Sequence, residues 1–395
     1  MTARWRNWSG SVVFQPARLH RPDDEDRLAA LVREVAARDG QLRAVGAGHS
    51  SNDLVRCDDT LLSLERLSGV VSVDRSALTA TVRAGTTLKD LGRELYEHDL
   101  ALPNYGDVAT QTIGGAIGTG THGTGRRLHN LSHMLVGARL VDGRGDVRQV
   151  DDEETLRAVR VALGTFGIFS EVTLRVVPSF DVERREFAIA TDAAMEQFDA
   201  LAERNRSLDF YWYPRRDDIK LRLVNAAGGT SAPDNARELT RLAGYGHEVI
   251  PTHSGIPHRF DECEYALPAE NGPACFQAVR TRVLRCWRGI VGWRVLYRTV
   301  AADDTWLSPA HGRPTVTISL HQNATLPWSE YFRDIETIFR EFDGRPHWAK
   351  KHTARARRLE PMYPRWRDFL RLRERFDPDG VFLTPYLREL LGVPA

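Results

Sequence analysis

A short glycine motif near the N-terminus is the first stretch whose residue types could do chemistry. In VGAGHSSND, Gly46 and Gly48 follow a short predicted strand, and His49, Ser50 and Ser51 come directly after them. Glycines let the backbone approach a phosphate without a Cβ in the way, and successive N–H groups in a tight turn form an anion-binding nest. That geometry suits a pyrophosphate. Taken in isolation, the same residues are equally typical of a strand-ending turn with a surface histidine.

A second glycine motif, GTGTHGTG at 118–125, satisfies the pattern G-x-G-x-x-G, and Asp142 follows at a distance that suits a dinucleotide-binding acid. A nicotinamide-binding fold is therefore an alternative. Its context argues against it, because VATQTIGGAI before the motif is not a β-branched strand and RRLHNLSHM after it is short and polar for a crossover helix. Two phosphate-compatible loops in one strand and helix block favour a dinucleotide.

The elements that must position these motifs fall into three blocks. Up to Pro178, predicted strands alternate with helices such as DDEDRLAALVREVAAR and TTLKDLGRELYEHDL, and MLVGARLVD pairs with DVRQV as a hairpin. From about residue 180, two rounds of strand, helix and strands predict an α+β arrangement, with an antiparallel sheet and helices on one face. The last block, from HWAKKHT to FDPDGVFLTPYLRELLG, mixes basic helix with Pro and Gly turns, and we expect it to pack back on the rest.

Composition limits the function classes. The 395 residues are 42% hydrophobic and 27% charged, with a net charge of +1, which predicts a soluble globular protein without the basic surplus of a nucleic-acid binder. No apolar stretch reaches the ~18 residues of a membrane span. The four cysteines are scattered without a CxxC pair, so we expect no metal site and no disulfide framework. A reducing, cytoplasmic location is the expectation.

Several motifs together carry a family resemblance. VGAGHSSNDL, IGGAIGTGTHGTG and LGTFGIFSEVTLRVVP resemble the FAD-binding (PCMH-type) domain of the vanillyl-alcohol-oxidase-type flavoproteins. NWSG, ECEYALP, RTVAADDTWLSPAHGR, HWAKKHT and FDPDGVFLTPYLRELLG are similar to their aldonolactone oxidase and alditol oxidase branch. The resemblance runs nearly end to end. It implies an FAD-binding domain at 1–178, an antiparallel-sheet substrate cap at 179–345 and a segment at 346–395 that returns to the FAD domain.

The resemblance also implies a set of cofactor-binding residues. His49 would carry FAD through a covalent 8α-histidyl bond, and the loop LPNYGDVATQT contains no cysteine for a second attachment. The remaining contacts would come from Gly46, Ala47, Gly48, Ser50 and Ser51 at the pyrophosphate, from Gly115, Ala116, Gly118, Thr119, Gly120, His122, Gly123 and Thr124 along the isoalloxazine and ribityl side, and from Gly167 and Ile168 at the adenine or ribityl portion.

The expected catalytic residues are Arg298, His321 and Lys350. Arg298 falls where the family has the arginine of a Glu-x-Arg pair, but the position two before it is Leu296, which cannot accept a hydrogen bond. Either the substrate is altered or the partner carboxylate comes from one strand away. His321 matches a family histidine on a substrate-domain strand and is expected to act as a base that titrates near neutral pH. Lys350 resembles a family lysine near flavin N1.

The other candidate contacts are weaker. Asn323 follows His321 on the same face by strand alternation and is expected to bind substrate. Glu262 and Glu264 alternate on a strand, where paired acids usually face solvent, so no role is predicted for them. Tyr297, Trp306 and Trp348 could stack on a sugar, although buried aromatics are more often core residues.

The resemblance implies FAD-dependent oxidation of a CH–OH group in a sugar-1,4-lactone or polyol, by hydride transfer to flavin N5. Oxygen or an electron carrier would reoxidise the flavin. The alternatives are a tailoring oxidase acting on a modified sugar or secondary metabolite, and a flavin-binding protein with little turnover because Leu296 replaces the glutamate. A nicotinamide dehydrogenase remains as a third possibility.

Overall fold

The structure is a computed structural model that describes residues 4–229, 231–252 and 258–394. Its strands are β1 (Trp5–Arg6), β2 (Val13–Phe14), β3 (Arg18–His20), β4 (Leu42–Val45), β5 (Thr60–Ser63), β6 (Val70–Asp74), β7 (Thr79–Arg83), β8 (Leu100–Ala101), β9 (Leu135–Val141), β10 (Val147–Val150), β11 (Ile168–Arg175), β12 (Val177–Pro178), β13 (Asp181–Ala190), β14 (Ser207–Tyr213), β15 (Asp218–Asn225), β16 (Arg237–Tyr245), β17 (Phe260–Pro268), β18 (Val295–Val300), β19 (Thr315–Asn323) and β20 (Arg345–Pro346). Its α-helices are α1 (Glu25–Ala36), α2 (Leu88–Tyr96), α3 (Ile113–Thr119), α4 (Glu153–Val159), α5 (Thr191–Arg204), α6 (Gly246–Val249), α7 (Gly272–Arg282), α8 (Ser329–Glu341), α9 (Ala356–Leu359), α10 (Trp366–Phe376) and α11 (Pro385–Leu391).

The N-terminal half contains two sheets that place the glycine motifs. Strands β3, β5 and β4 form a parallel sheet, and α1 covers it. Asp24 caps the N-terminus of α1, and its side chain accepts a hydrogen bond from Arg27 N at 2.7 Å. Strands β10, β9, β11, β7 and β6 form an antiparallel sheet beside it. The first glycine motif leaves the carboxyl end of β4, and the second begins inside α3.

The second half is built on one eight-stranded antiparallel sheet in the order β16-β13-β15-β14-β18-β19-β17-β20. Side chains alternate between its two faces, as the pleat of a strand requires. In β14, Phe210 packs edge-on against Phe198 of α5 and Phe276 of α7, whereas Asp209 and Tyr211 point to the other face. The longer helices α5, α7 and α8 cover this one face, which confirms the predicted α+β class, whereas the short α6 packs through Val249 against Val182 and Val224 on the other face.

The C-terminal segment packs on the N-terminal half. Trp348, Trp366 and Phe369 are buried in the same apolar cluster as Leu88 of α2 and Ile113 of α3. Burial of this apolar surface holds the segment from Trp348 onward against the N-terminal sheets. None of the helices in the described part of the chain combines the length and the apolar character that a bilayer span requires.

Two elements of the structure differ from the sequence-based predictions, and the contacts of Asp142 bear on the nicotinamide-binding alternative. The run IGGAIGT, interpreted as loop, forms α3, because Ile113, Ala116 and Ile117 are buried along one side and Gly120 ends the helix with φ +75°. Strand β16 was not predicted, since its residues are nearly all exposed and show no apolar alternation. Asp142 accepts hydrogen bonds from the N–H groups of Arg144 and Asp146 in the β9–β10 turn, so its role is in the turn rather than at a ribose.

The three aromatic residues considered for sugar stacking are core residues. Tyr297 stacks on Phe210 with ring centroids 4.8 Å apart, and Trp348 stacks on Tyr363 at 5.4 Å. Trp306 is 3% exposed and belongs to the N-terminal core.

Candidate active site

A deep cleft lies between the glycine motifs of the N-terminal half and the face of the eight-stranded sheet opposite α5, α7 and α8. The space between its walls, together with the open solvent at its mouth, amounts to about 1470 Å³. From the N-terminal half it is lined by Arg43, Ala44, Val45, Gly46, Ala47, Gly48, His49, Ser50, Leu54, Val55, Leu64, Gly106, Asp107, Val108, Gln111, Thr112, Gly114, Gly115, Ala116, Gly118, Thr119, Thr121, His122, Leu163, Gly164, Gly167, Ile168 and Phe169. From the sheet and the C-terminal segment it is lined by Phe260, Glu262, Glu264, Leu296, Arg298, His321, His347, Ala349 and Lys350.

The first glycine motif presents backbone to the cleft. A Cβ on Gly46 would come within 2.0 Å of Thr112 Oγ1, so only glycine lets this turn lie against the start of α3. Gly48 has φ +71°, in the left-handed region that favours glycine. Ser51 does not line the cleft; its N–H donates to Ala349 O at 2.8 Å and ties the motif to the C-terminal segment.

His49 lies at the cleft wall with one ring nitrogen engaged. Its Nε2 is 2.9 Å from Thr110 Oγ1, and no hydrogen bond from the described residues reaches Nδ1. Burial, and secondarily the charge of Lys350, lower the pKa of His49 to about 4. The ring is therefore neutral at pH 7, and Nδ1 is the nitrogen left for a bond to a ligand.

The second glycine motif has two parts: Gly118 leaves open space in the cleft, and the residues after it attach the loop to the sheet. Gly118 is buried, yet a Cβ built on it would meet no atom within 4 Å, so this helix position faces open space inside the cleft. Gly120, Gly123 and Thr124 do not line the cleft. A Cβ on Gly123 would come within 2.3 Å of a backbone oxygen, and Thr124 Oγ1 donates to a β14 carbonyl at 2.7 Å, which holds this loop to the sheet.

Arg43, on β4, brings an unbalanced positive charge to the same cleft. Its guanidinium donates to the backbone oxygens of Leu163 at 2.6 Å and Gly164 at 2.8 Å, and no carboxylate of the described residues lies within ion-pair distance. Burial lowers the pKa of Arg43 to about 10, so it stays charged at pH 7. A long cleft with backbone turns, an open glycine cradle and an unpaired guanidinium fits an extended dinucleotide with an anionic centre.

The register of the sheet decides which side chains reach the cleft. Glu262 of β17 pairs with His321 of β19, and in the next row Glu264 pairs with Ser319, which pairs with Leu296 of β18. The expectation that Glu262 and Glu264 face solvent is wrong, because β17 lies inside the sheet and both carboxylates line the cleft. The sequence signal was available in ECEYALP, but the face it presents depends on the partner strand.

Arg298 is held in a buried charge network. Its Nη2 lies 2.6 Å from Asp107 Oδ2 and its Nε donates to Asp209 Oδ2 at 3.1 Å. Arg222 pairs with the same two aspartates, and Tyr211 donates to Asp107 at 2.6 Å. Burial would lower the pKa of Arg298, but the two carboxylates outweigh it and raise the pKa. Arg298 is thus a fixed, permanently charged donor at the cleft wall.

A second cluster joins both halves of the molecule. His122 Nε2 is 2.7 Å from Glu264 Oε1, and its Nδ1 donates to Gly123 O at 2.8 Å. Burial opposes ionisation of Glu264, but the charge and hydrogen bond of His122 outweigh it and lower the pKa of Glu264 to about 2. Burial lowers the pKa of His347 to about 4, and its Nδ1 accepts from Ala349 N at 3.1 Å.

Ligating atoms of His122, Glu264 and His347 lie within 4.8 Å of one another, a spacing that could hold a metal ion. Hydrogen bonds already engage these atoms without an ion, because His122 Nε2 and Glu264 Oε1 contact each other and His347 Nδ1 accepts from Ala349 N. The sequence-based expectation that there is no metal stays a prediction.

Lys350, His321 and Glu262 form a third cluster. The Lys350 ammonium contacts Glu262 Oε2, and burial lowers the pKa of Lys350 to about 8. Burial also lowers the pKa of His321 well below its usual value, with the charge of Arg294 as the next cause. The prediction that His321 titrates near neutral pH therefore does not fit its surroundings.

Asn323 is the predicted substrate contact that the fold does not bring to the cleft. Its Oδ1 accepts hydrogen bonds from Thr325 N at 3.0 Å and Thr325 Oγ1 at 2.9 Å, which stabilise the turn after β19. Alternation places Asn323 on the same face as His321, but the strand ends there and its side chain folds onto the turn. Arg298, His321, Lys350 and Leu296 do line the cleft as expected.

Comparisons with known proteins agree along the whole chain. The family model described as D-arabinono-1,4-lactone oxidase matches residues 172–253 and 246–390, and the model described as FAD binding domain matches residues 16–151. An L-gulono-1,4-lactone dehydrogenase of Mycobacterium tuberculosis is 35% identical and covers 99% of this chain and 100% of its own. An alditol oxidase of a Streptomyces species is 30% identical over 99% and 100% of the two chains, and mouse L-gulonolactone oxidase is 26% identical over 98% of each.

Solved structures show the same fold at low identity. Cholesterol oxidase from B. sterolicum superposes with a TM-score of 0.87 at 15% identity, covering 98% of this chain and 96% of that chain. A chitooligosaccharide oxidase superposes with a TM-score of 0.80 at 15% identity, covering 96% and 93%.

Proposed function

Because the chain belongs to the D-arabinono-1,4-lactone oxidase family, we propose that it is an FAD-dependent oxidoreductase that oxidises a CH–OH group of a sugar-1,4-lactone or a polyol. The observation that carries this proposal is the cleft itself: phosphate-compatible backbone turns on one side and fixed polar side chains on the other. The relatives named for lactone and alditol oxidation support the substrate class.

The chain's residues fit FAD along the cleft. The turns at Gly46 and Gly48, with Arg43 nearby, would hold the pyrophosphate, and the open position at Gly118 would lie along the flavin. Gly167 and Ile168 would meet the remaining portion. Bound FAD would supply an acceptor for the hydride released from the carbinol carbon. We further propose a single covalent attachment at His49 Nδ1, which the neutral ring and the Thr110 contact at Nε2 support.

The side chains opposite the cofactor turns would bind and orient the substrate. Arg298, fixed by two aspartates, would donate to substrate oxygens without a conformational search. Leu296 and Phe260 would exclude water from the reacting carbon. Glu264, held between His122 and His347, is a fixed negative charge that keeps the His122 imidazole oriented. Lys350 would place a positive charge at the same wall.

The remaining predictions from the sequence extend this proposal. We propose that residues 1–178 with 346–395 form the FAD domain and that 179–345 form the substrate cap. Either oxygen or an electron carrier would reoxidise the flavin. Both acceptors are proposed because one relative is named a dehydrogenase and another an oxidase. A cytoplasmic location is proposed from the unpaired cysteines of the described residues, Cys57, Cys263, Cys275 and Cys286.

The test combines an absorbance spectrum, acid precipitation and anaerobic bleaching of the purified protein with a panel of aldonolactones and alditols. Yellow colour that bleaches with a panel member supports the proposal and names the substrate class. Colourless protein refutes FAD binding. Yellow protein that no panel member bleaches favours the second candidate, a tailoring oxidase for a modified sugar, which the apolar Leu296 in the cleft supports. A flavin-binding protein without turnover would remain yellow with every modified sugar as well.

Replacing Leu296 with glutamate is expected to raise kcat/KM for simple lactones or alditols about tenfold, because one charge-assisted hydrogen bond to a hydroxyl contributes about that factor. Leu296 is 4% exposed, and the neighbouring Ser319 Oγ is buried without a hydrogen-bond partner among the described residues, so a carboxylate there has a donor. Leu296→Gln is the matched control, with the same length and no charge. No gain on any panel member would count against the idea that Leu296 narrows the specificity.

A further inference from the structure

The wall of the cleft contains a buried ring nitrogen without a partner. His321 Nε2 lies 3.0 Å from Glu262 Oε1, but the two atoms are not aligned for a hydrogen bond, and Nε2 has no hydrogen-bond partner within the described ranges. The His321 side chain is only 3% exposed. Buried polar groups in native proteins are nearly always hydrogen-bonded, so this nitrogen has an unused hydrogen-bonding position that faces the cleft.

The surrounding contacts determine where the protons are. Arg294 Nε lies 3.5 Å from His321 Nδ1, and because a guanidinium N–H only donates, Nδ1 accepts and the proton of the neutral ring is on Nε2. On the other side, the Lys350 ammonium contacts Glu262 Oε2, and a neighbouring positive charge favours the ionised carboxylate, which only accepts. The cleft thus presents an N–H donor and a carboxylate acceptor side by side.

We propose that His321 and Glu262 together bind one hydroxyl group of the substrate, with the hydroxyl oxygen accepting from His321 Nε2–H and the hydroxyl proton donated to Glu262. An alcohol can do both at once, whereas a carbonyl or ether oxygen only accepts and would give no hydrogen bond to Glu262 Oε1. This assignment rests on the proposed function and adds Glu262 to it as a substrate-binding residue, with His321 as a donor instead of a base.

The assignment also accounts for the leucine at residue 296, where the family's Glu-x-Arg pair has its glutamate. Leu296 lines the cleft but offers only apolar contact, so the hydroxyl-binding carboxylate cannot come from β18. Glu262 reaches the same cleft from β17, which is separated from β18 by β19 alone. In this assignment the hydroxyl-binding carboxylate comes from two strands further across the sheet than the family position at residue 296.

The experiment measures ligand binding to the reduced holoenzyme by calorimetry, because reduced flavin cannot oxidise the ligand. The probes are L-gulono-1,4-lactone, D-arabinono-1,4-lactone, a linear alditol and aldonolactones that each lack one hydroxyl. Glu262→Gln is expected to weaken binding of a hydroxylated ligand at least about tenfold, the factor typical of one hydrogen bond to a charged group. Glu262→Asp should restore part of the affinity. The control Glu238→Gln, on edge strand β16, should bind as wild type does.

Coupling between the variant and the ligand identifies the hydroxyl. One of the deoxy lactones should bind Glu262→Gln and wild type with equal affinity, because the group that Glu262 recognises is already missing. The assignment is overturned if Glu262→Gln binds every hydroxylated ligand within about twofold of wild type, or if no deoxy ligand removes the difference.

A second readout does not depend on the substrate class. If wild type binds no probe, the proposed sugar substrate is refuted. The ionisation of Glu262 can then be tested by NMR of the chain's four lysine side chains. Each lysine signal is assigned with a Lys→Arg variant. Removing an ionised carboxylate from contact with Lys350 should lower the pKa of the Lys350 ammonium in Glu262→Gln. An unchanged pKa would overturn the assignment of Glu262 as the ionised acceptor of this wall.

Discussion

Gly118→Leu is expected to yield a folded protein that retains less than about a tenth of the wild-type flavin, because the new side chain fills space that the cofactor needs. Gly118 is buried, and a Cβ built on it would meet no neighbouring side chain or loop within 4 Å, so the new side chain starts into the open space of the cleft. The position is also inside α3, where leucine is favoured over glycine by about 1 kcal/mol. Flavin content per chain is read from the absorbance of the purified protein, and folding from its circular dichroism.

Two variants make this result specific. Gly118→Ala adds one methyl group to the same space and should lose part of the flavin. Gly289→Leu is the matched control, because a Cβ there also meets nothing within 4 Å but the residue lies in an exposed turn outside the cleft. A folded Gly118→Leu protein with full flavin content would show that the cofactor does not lie along α3.

His49→Ala is expected to abolish covalent attachment completely while leaving the backbone turns that hold the pyrophosphate. In wild type the yellow colour should stay with the acid-precipitated pellet, and in His49→Ala it should pass into the supernatant. The physical reason is that a covalent bond survives unfolding, whereas contacts from backbone turns and Arg43 do not. His98→Ala, at an exposed helix end, is the control.

Each half of the His49 proposal can be contradicted by its own result. Covalent flavin that persists in His49→Ala would refute His49 as the attachment point. Flavin that wild type releases in acid would refute the covalent bond, although binding of FAD in the cleft would stand on the spectrum alone. Because Thr110 engages Nε2 at 2.9 Å, Thr110→Val should leave attachment at Nδ1 possible.

Local patterns were enough for much of the fold. Helix α5 and strands β14 and β15 were predicted from their apolar periodicity. In each element the apolar residues, such as Phe198, Phe210 and Leu221, recur at the spacing that buries one side. Strand β16 could not be predicted this way, because it is an exposed edge with no buried face. Helix α3 was missed because its glycines are unfavourable for helix by propensity, and only packing of Ile113 and Ile117 stabilises it.

The sequence by itself identified the family and predicted the glycine turns and the side chains Arg298, His321 and Lys350, which line the cleft, because each lies inside a contiguous motif. Only the tertiary structure decided which acids reach the cleft. Glu262 and Glu264 alternate along β17 in either case, and their face is set by pairing with β19 and by the N-terminal half packed over it.

Long-range contacts also explain why Arg43 lines the cleft without having been predicted to, and why Asn323 was predicted to line it but does not. Arg43 reads as an ordinary strand arginine, and its place in the cleft depends on the carbonyl oxygens of Leu163 and Gly164, more than a hundred residues away. Asn323 has the right alternation for the cleft, but its side chain turns back onto Thr325 where the strand ends. Contacts between residues far apart in sequence leave no local pattern, so strand register and domain packing completed the site.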